Sequence, residues 1–550
     1  MNAVSLAAAL SALAASATPA AMVAIRGDPV TTETGKISGT LLPSGVKAYL
    51  GIPYAQPPTQ GLRWAAPQPL RWDGVWNADR TGPECIQILR PHDVNHYFGE
   101  EPTSEDCLYL NIWLPPKVVA KAKLPVIVFI YGGGGTVGSS GMAVYGGEHV
   151  AANGAIFVSF NYRVGILGFM AHPELSREQG GHSGNYGFLD QNAALKWVRA
   201  NIDRFGGDPA KVIITGQSFG AASVFAQLLS PLSKGLFRGA AMWSACIFSS
   251  DMLPGAVPLS TAEQTGQEIQ QRLGAADLRA MRYAPADKIL ALQEEHQLGA
   301  NVRGLRLPST IDGLFWTADR QTVFATHQFN DVPMIVGSNG DDLDAARSPL
   351  TTADSIAKFQ ETARKMFGPQ SDEFLKLYPV KSDADVRRVA HEAAREMGFL
   401  RNSQACASTQ AQYNQSPTFI ELFVRKHPYV PGVTIADQDP ATIGAYHTAD
   451  VPYWFGTLDA FNSLRPTRAW TASDRSLSQL MMGSLIAFAR TGSPASKELP
   501  WPAWSQANQK MMVFGDGAKI ESLPVARMDW LAAHPPADVP RTGKQRTTRD

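Results

Sequence analysis

The sequence has no surplus of either charge and very little cysteine. Across 550 residues, 49 Lys and Arg balance 49 Asp and Glu, and four residues are cysteine. Because phosphate binding needs a clustered excess of basic residues, this balance argues against a nucleic-acid-binding protein. The hydrophobic content of 44% excludes a disordered chain and suffices for a large core. These properties indicate a large neutral globular protein.

Metal-binding motifs are missing as well. The sequence contains no C-x-x-C pair, no H-E-x-x-H motif and no His/Cys cluster at ligand spacing. Because zinc sites normally show such spacings, we expect neither a metal nor another cofactor. Cys85 and Cys107 are 22 positions apart, and the sequence leaves open whether Cys246 and Cys406 pair.

Long apolar runs are absent after the N-terminus. Residues 1–25 carry no charge, residues 4–13 resemble the apolar part of a signal peptide, and Ala-Ser-Ala at 15–17 fits a cleavage site. The usual basic segment is missing, so a disordered Ala-rich leader is the alternative. We predict a signal peptide or leader at 1–24 and a secreted or periplasmic protein. Interruptions by Ser, Thr and Pro argue against a stable membrane anchor.

Short β-branched runs alternate with helical segments along the rest of the chain. No repeat or low-complexity linker interrupts this alternation, which predicts an α/β fold with a large, mostly parallel sheet flanked by helices. The segments 255–310 and 350–410 have few strand signals and predict a helical cap. We therefore expect one domain at 25–538 and a polar tail at 539–550. The predicted buried strands lie at 124–131, 155–160, 212–215 and 332–337.

The strongest motif is Gly-Gln-Ser-Phe-Gly at 216–220. The pattern G-x-S-x-G alone is moderately specific, and an ordinary glycine-rich turn is the alternative. Here it follows a predicted strand and opens an apolar helix, which is the context of a nucleophile elbow. The motif therefore predicts Ser218 as an exposed nucleophile.

A glycine run at 132–135 follows another predicted strand directly. Glycines leave backbone N–H groups accessible, as an oxyanion hole requires. A flexible loop or a phosphate-binding loop is the alternative. The phosphate interpretation fits poorly, because no G-K-[ST] follows the run and no G-x-G-x-x-G opens a helix.

A serine nucleophile needs a base and an acid that orients the base. Among eleven histidines, His447 lies in a polar loop before an aromatic segment, and His427 is the next candidate. In this chain order the acid should lie between the serine and the histidine. The loop after the strand at 332–337 contains Asp341, Asp342 and Asp344, and physical arguments alone do not choose among them.

Several longer segments make the chain resemble the type-B carboxylesterases, the cholinesterase-like branch of the α/β-hydrolases. The resemblance extends from about Thr34 to Phe514 and implies an α/β-hydrolase fold with a helical cap over the active site. The segments that carry it are YLGIPYAQPP at 49–58, SEDCLYLNIW at 104–113, FNYRVG at 160–165 and GNYGFLDQ at 184–191.

The resemblance also implies roles for individual residues. It implies Ser218 as nucleophile and His447 as base, and its Asp-Glu-Gly tripeptide aligns with 341–343, which selects Asp342 as acid. Because aspartate is one methylene shorter than the usual glutamate, its loop must sit closer to His447. The implied oxyanion donors, disulfide and ion pairs are the amides of Gly133, Gly134 and Phe219, the bridge Cys85–Cys107, and the pairs Arg63–Glu105 and Arg163–Asp190.

Departures from the family pattern concern the substrate. Gln217 replaces a common glutamate before the serine, which removes a negative charge. The loop between Cys85 and Cys107 has no tryptophan, only Tyr97 and Phe98, which argues against choline esters. The ring of Phe219 should narrow the site, whereas Gly135 should open space near the oxyanion. We therefore expect Gly135 and Gln217 to contact a small-molecule ester that is bulky or aromatic, with a bulky or branched alcohol or acyl part.

The predicted function is a serine carboxylic-ester hydrolase that works through an acyl-enzyme. Two alternatives remain at this point: a non-catalytic adhesion or scaffold protein of the same family, or a lipase acting on long-chain lipids. Retention of Ser218, His447 and an acid argues against the scaffold. As partners we expect only the ester substrate, in a monomer or a homodimer.

Overall fold

The fold is built around one large twisted sheet. The computed structural model describes residues 23–89, 95, 102–119, 121–246, 256–294, 307 and 309–537. Within these residues twelve strands form the sheet. In chain order they are β1 Val23–Ala24, β2 Thr40–Leu41, β3 Lys47–Pro53, β4 Tyr109–Leu114, β5 Leu124–Ile130, β6 Ile156–Phe160, β7 Gly207–Gln217, β8 Gly239–Trp243, β9 Met334–Asn339, β10 Thr418–Phe423, β11 Lys510–Phe514 and β12 Ala518–Ser522.

The strand order explains where a site can form. The sheet runs β1-β2-β3-β4-β6-β5-β7-β8-β9-β10-β11-β12. The seven neighbouring strands β6-β5-β7-β8-β9-β10-β11 pair in parallel. The strands on either side of this group, β1 to β4 and β12, pair with their neighbours in the antiparallel direction. Because parallel strands end at the same edge, the loops that follow β5, β7, β8 and β9 converge there.

The predicted buried strands are confirmed as β5, β6, β7 and β9. Their residues are apolar and buried, which suits strands covered on both faces. β7 begins at Gly207, five residues before the predicted start. Its first five residues, Gly-Asp-Pro-Ala-Lys, form no hydrophobic run and are partly exposed after Gly207, so hydrophobic pattern alone does not reveal them. The three smaller sheets pair Val30–Thr31 with Lys36–Ser38 and Val75–Asn77, Glu84–Cys85 with Thr103–Ser104, and Val257–Pro258 with Thr310–Ile311.

Helices cover the sheet. The helices are α1 Glu148–Ala152, α2 Gly165–Phe169, α3 Pro173–Glu178, α4 Tyr186–Asn201, α5 Phe219–Leu229, α6 Leu259–Leu273, α7 Leu278–Tyr283, α8 Ala286–Glu294, α9 Arg320–Ala325, α10 Leu343–Arg347, α11 Ile356–Phe367, α12 Ser371–Leu377, α13 Asp383–Met397, α14 Phe399–Tyr413, α15 Val451–Phe455, α16 Ala472–Thr491 and α17 Val525–Ala533. Of these, α5 packs on β7 and β8, α14 packs on β9 and β10, and α16 packs on β5 and β7. Short 3₁₀ helices lie at Gln60–Leu62, Ala143–Tyr145, Ile202–Phe205, Pro231–Ser233, Pro349–Thr352, Gly368–Gln370 and Leu458–Asn462.

The two segments predicted as a helical cap are mostly helical where the structure describes them. The first contains α6–α8, and the second contains α11–α13 and most of α14. Helices α11–α13 bury their own apolar cluster around Phe359, Phe374 and Val389, apart from the core under the sheet. These helices therefore pack as a unit beside the sheet.

The termini and cysteines complete the architecture. Residues 1–22 of the predicted leader and the predicted tail lie outside the described residues, whereas Val23–Ala24 pairs with β2. Cys85 is bonded to Cys107, and Cys246 is bonded to Cys406, which joins the segment after β8 to α14. A search of the described residues finds no helix long and apolar enough to cross a membrane.

Candidate active site

Ser218 lies at the sharp turn between β7 and α5. Its backbone has φ 57° and ψ −126°, an unusual conformation for a residue with a side chain. A side chain at Gly216 would collide with the backbone of Gly220, and one at Gly220 would collide with the carbonyl of Ile130. Both glycines therefore allow the turn that holds Ser218 at the carboxyl edge of the sheet.

The glycine loop after β5 lies directly beside Ser218. A Cβ atom added to Gly132 would come within 3.0 Å of the Ser218 Cβ. Gly133 and Gly134 have φ of 103° and 67°, a conformation that glycine adopts without strain. Gly135 has φ 75° and continues the same turn. The loop therefore brings its backbone to the nucleophile turn, as an oxyanion hole requires.

Three parts of the chain hold this loop in place. The side-chain amide of Gln87 accepts a hydrogen bond from Gly138 N (2.6 Å) and donates one to Gly138 O (2.9 Å). Gly165 N donates to Gly135 O at 2.6 Å. Gln293 of α8 donates to the carbonyl of Thr136 at 3.2 Å. Gln87 follows Cys85 by two residues, so the disulfide segment supports the loop.

Asp342 and His447 form a close, buried contact. His447 Nδ1 lies 2.6 Å from Asp342 Oδ1, and the Asp342 side chain is fully buried. Asp342 Oδ2 accepts hydrogen bonds from the Ser244 hydroxyl (2.6 Å) and Asn339 N (3.1 Å). Burial raises the pKa of Asp342, but His447 and the hydrogen bonds outweigh it and hold the pKa below its usual range. An ionised acid beside Nδ1 leaves Nε2 available to act as a base.

The three aspartates of the loop after β9, among which the sequence does not choose, make different contacts in the structure. Asp342 contacts His447, as the resemblance implies. Asp341 contacts His391 of α13 and accepts a hydrogen bond from Ala445 N. Asp344 accepts a hydrogen bond from Phe399 N at the start of α14 (2.8 Å). Asp341 and Asp344 therefore support neighbouring segments instead of contacting the base candidate.

Backbone contacts compensate for the short side chain of Asp342. Asp341 N donates to Ala445 O at 3.0 Å, and Ala445 N donates back to Asp341 Oδ2 at 2.8 Å. The side-chain Nδ2 of Asn339 donates to Tyr446 O at 2.8 Å. These bonds draw the loop of His447 against the loop of Asp342. Asp342 therefore reaches His447 although its side chain is one methylene shorter than that of glutamate.

Gln217 contacts the base candidate. Its Nε2 atom lies 3.4 Å from Nδ1 and 3.3 Å from Nε2 of His447. Both distances are at the long end for a hydrogen bond, so the side-chain amide packs closely against the His447 ring. Gln217 is 1% exposed. Gln217 therefore supports the base candidate, and the expectation that it contacts the substrate stays a prediction.

Gly135 does not open the space that its missing side chain suggests. A Cβ atom at position 135 would lie 2.7 Å from Cζ of Phe219. The ring of Phe219 therefore fills this volume, and the expectation of open space there is wrong. The missing side chain of Gly135 and the large ring of Phe219 therefore compensate for each other sterically. The expectation about Tyr97 and Phe98 lies outside the described residues.

His427 is not part of the Asp342–His447 pair. Its Nε2 lies 2.8 Å from Ala449 O, and its Nδ1 lies 3.0 Å from the Tyr446 hydroxyl and 3.2 Å from Arg468 Nε. It therefore supports both sides of the loop that carries His447. The implied ion pairs Arg63–Glu105 and Arg163–Asp190 are present at 2.6 and 2.7 Å.

Sequence reasoning missed two residues of this site. Ser244 adopts φ 58° directly after β8, and its hydroxyl contacts Asp342. Asn339 ends β9 and bonds both Asp342 and the His447 loop. A polar residue at the carboxyl end of a parallel strand is the signal that points to both, because those ends meet at one edge.

Comparisons with known proteins agree with this architecture. The model of the carboxylesterase family matches residues 27–528. Fumonisin B1 esterase of Sphingopyxis macrogoltabida is 34% identical over 496 residues, covering 88% of this chain and 86% of that protein. Para-nitrobenzyl esterase of Bacillus subtilis (strain 168) is 31% identical over 507 residues, covering 90% of this chain and 96% of that protein. A solved structure of a PNB esterase has a TM-score of 0.72 at 30% identity, covering 91% and 98%.

The chain therefore belongs to the carboxylesterase family and has the α/β-hydrolase fold. Within this class it is a carboxylic ester hydrolase, as its esterase relatives are. Among the described residues no group of three or more His, Cys, Asp or Glu side chains could hold a metal ion.

Proposed function

We propose that this enzyme hydrolyses esters through an acyl-enzyme on Ser218, with His447 as base and Asp342 as acid. The observation that carries the proposal is the 2.6 Å contact between His447 and Asp342 beside the strained turn of Ser218. The adjoining glycine loop supplies the complementary oxyanion site. The convergence of these three elements at one sheet edge supports the proposal.

The reaction begins when His447 removes the proton of the Ser218 hydroxyl as its oxygen attacks the ester carbonyl. The tetrahedral oxyanion accepts hydrogen bonds from the amides of Gly133, Gly134 and Phe219. His447 then passes the proton to the leaving alcohol, and the acyl group stays on Ser218. Water repeats the sequence and releases the acid. Asp342 holds the imidazole in orientation and stabilises its positive charge.

The proposed substrate is a small ester with a bulky or aromatic group. Aromatic rings beside the nucleophile favour such a group: Phe219 packs at 5.5 Å from Phe169 and 6.0 Å from Phe188. Relatives of this chain are named for varied esters, among them fumonisin B1 and, for a human protein 29% identical to it, cocaine. A neutral Gln217 in place of the usual glutamate removes an attraction for cationic substrates.

We also propose that residues 1–24 direct export to a secreted or periplasmic location, ahead of one catalytic domain at 25–538. The disulfides Cys85–Cys107 and Cys246–Cys406 support an oxidising compartment. N-terminal sequencing of the protein released by its source cells tests this proposal. A mature protein that begins at Met1 would contradict it.

Hydrolysis of p-nitrophenyl esters from acetyl to palmitoyl tests the proposed mechanism. We expect Ser218→Ala to lower kcat by about 10⁴-fold or more. Ser230→Ala is the matched control, because this buried hydroxyl follows α5 and has no hydrogen-bond partner among the described residues. It should keep wild-type activity.

The same assay decides between the alternatives. Wild-type rates in Ser218→Ala would remove Ser218 from the mechanism. A preference for emulsified long-chain esters would favour a lipase. Absence of hydrolysis across a broad ester panel would favour a scaffold.

A further inference from the structure

The ring of Phe219 occupies the space of a neighbouring side chain. A Cβ atom at position 135 would lie 2.7 to 3.0 Å from Cζ, Cε2 and Cε1 of Phe219, which is the far end of the ring. Residues 133–135 and 219 belong to the two backbone segments that carry the proposed oxyanion donors. The ring therefore spans the gap between these segments, next to the proposed oxyanion site.

Other aromatic rings hold Phe219 in this position. Phe188 lies nearly parallel to it at 6.0 Å and 8°, and Phe169 meets it edge-on at 5.5 Å and 82°. Phe315 stacks behind Phe188 at 5.4 Å, and Trp316 meets Phe188 edge-on at 6.4 Å. These four supporting rings are buried, whereas Phe219 is half-buried at the end of the cluster. Rotation of Phe219 would break these contacts, so the ring acts as a fixed wall.

Resting on the proposed function, we propose that Phe219 is the specificity-determining residue for the acyl group of the ester. A flat or unbranched group can lie along the ring, and an aromatic group gains stacking contact. A group branched at the carbon next to the carbonyl projects in three directions and collides with the wall. The enzyme therefore selects planar or linear acyl groups over branched ones, so a bulky substrate carries its bulk as an aromatic ring or on the alcohol.

Three p-nitrophenyl esters test this selection: the acetate, the benzoate and the pivalate, whose acyl carbon carries three methyl groups. Values of kcat/KM are taken relative to acetate, so that effects on the general chemistry cancel. We expect Phe219→Ala to raise the pivalate-to-acetate ratio about tenfold or more over wild type, because steric discrimination of a few methyl groups is of this size. The benzoate-to-acetate ratio should fall with the loss of stacking.

Phe225→Leu is the matched control. Phe225 lies on the same helix, and its ring packs against Phe324 at 6.5 Å, on a different aromatic cluster. Its substitution should leave both ratios unchanged. Phe219→Leu is a milder second variant, and it should raise the pivalate ratio less than Phe219→Ala.

A double variant tests the steric exchange directly. Gly135→Ala alone places a Cβ against the Phe219 ring and also strains φ 75°, so its Tm should fall. In the Phe219→Ala background the collision disappears, and the same substitution should lower Tm less. Equal losses in both backgrounds would show that the ring does not occupy this space.

Failure of this inference can be told apart from failure of the mechanism. An unchanged pivalate ratio in Phe219→Ala, with hydrolysis still dependent on Ser218, would overturn the role of Phe219 and leave the mechanism intact. Wild-type hydrolysis in Ser218→Ala would instead overturn the mechanism on which the inference rests.

Discussion

At the scale of single residues, the most unusual feature is a group of buried carboxyls around His447. Asp342 is held below its usual pKa, mainly by His447 acting against burial. Burial and the charge of Asp342 raise the pKa of Asp344 to about 7. Burial likewise raises the pKa of Asp450 to about 6 and that of Glu421 well above its usual range. One ionised acid beside the base thus coexists with neighbours that resist ionisation.

Glu421 allows a test of this electrostatic arrangement. Its side chain is fully buried on β10 against Gly337, and neither carboxyl oxygen has a hydrogen-bond partner among the described residues. Because its folded pKa is raised, the folded state keeps a proton that the unfolded chain releases above about pH 4.3. Its contribution to the free energy of unfolding therefore falls as pH rises from there toward the folded pKa.

Glu421→Gln removes this pH dependence while keeping the shape and neutral state of the side chain. Relative to wild type, we expect the variant to gain stability as pH rises above about 4.3 toward the folded pKa of Glu421, at about 1.4 kcal/mol per pH unit. Urea unfolding at several pH values measures the difference. A difference in the free energy of unfolding that stays constant with pH would mean that Glu421 is ionised in the folded protein.

Residue patterns identify the type of chemistry, but they do not identify which of several neighbouring residues contributes to it. The motif around Ser218 and its strand context predict the turn observed. Three aspartates follow β9, however, and their separation depends on contacts with His391, His447 and Phe399, which lie 50 to 105 positions away. Such pairings follow from the packing of distant elements, so spacing along the chain does not encode them.

At the scale of elements, the glycine loop depends on a brace from the disulfide segment. Gln87 forms two hydrogen bonds with Gly138 and a third with the carbonyl of Cys85 (3.2 Å). Glycines at 133–135 make the loop intrinsically flexible. The fixed position of the loop therefore has to come from contacts such as these.

Gln87→Met tests this bracing, because it keeps the side-chain volume but removes both hydrogen bonds to Gly138. We expect kcat to fall about tenfold or more with a smaller change in KM, since misplaced oxyanion donors weaken binding of the transition state. Gln68→Ala, at an exposed glutamine, is the control and should match wild type. A change confined to KM, or to Tm alone, would contradict the positioning role.

The same scale shows what a missing side chain does not reveal. Gly135 suggests open space in the sequence, and Phe219 suggests a narrower site, but the structure shows that one fills the space left by the other. Strands are easier to predict from sequence than this steric compensation between two distant residues. Continuous apolar runs identify β5, β6 and β9, because strands buried on both faces need them along their length.

At the scale of the whole molecule, the disulfide Cys246–Cys406 joins parts of the chain 160 positions apart. Closing so long a loop restricts the unfolded chain more than closing the 22-position loop of Cys85–Cys107. We expect the double variant Cys246→Ser/Cys406→Ser to lose about 2–5 kcal/mol of unfolding free energy. Chemical denaturation measures the loss, and a variant as stable as wild type would contradict it.

The overall fold was predictable because alternation of buried strands and helices restricts the topology. The pairing of Cys246 with Cys406 was not, since it needs the segment after β8 to meet α14 in space. Neither composition nor residue spacing predicts this contact between the segment after β8 and α14. The family resemblance supplied the fold and the implied site residues, and the structure adds the contacts that hold them.

The most direct test of the central claim is covalent trapping of the nucleophile. Wild type and Ser218→Ala are treated with diethyl p-nitrophenyl phosphate, which acylating serine enzymes attack at phosphorus with loss of p-nitrophenol. The account predicts one diethylphosphoryl group per wild-type chain, located on Ser218 by peptide mass spectrometry, and no adduct in the variant. A stoichiometric adduct on another residue, or an inhibited enzyme with Ser218 unmodified, would contradict it.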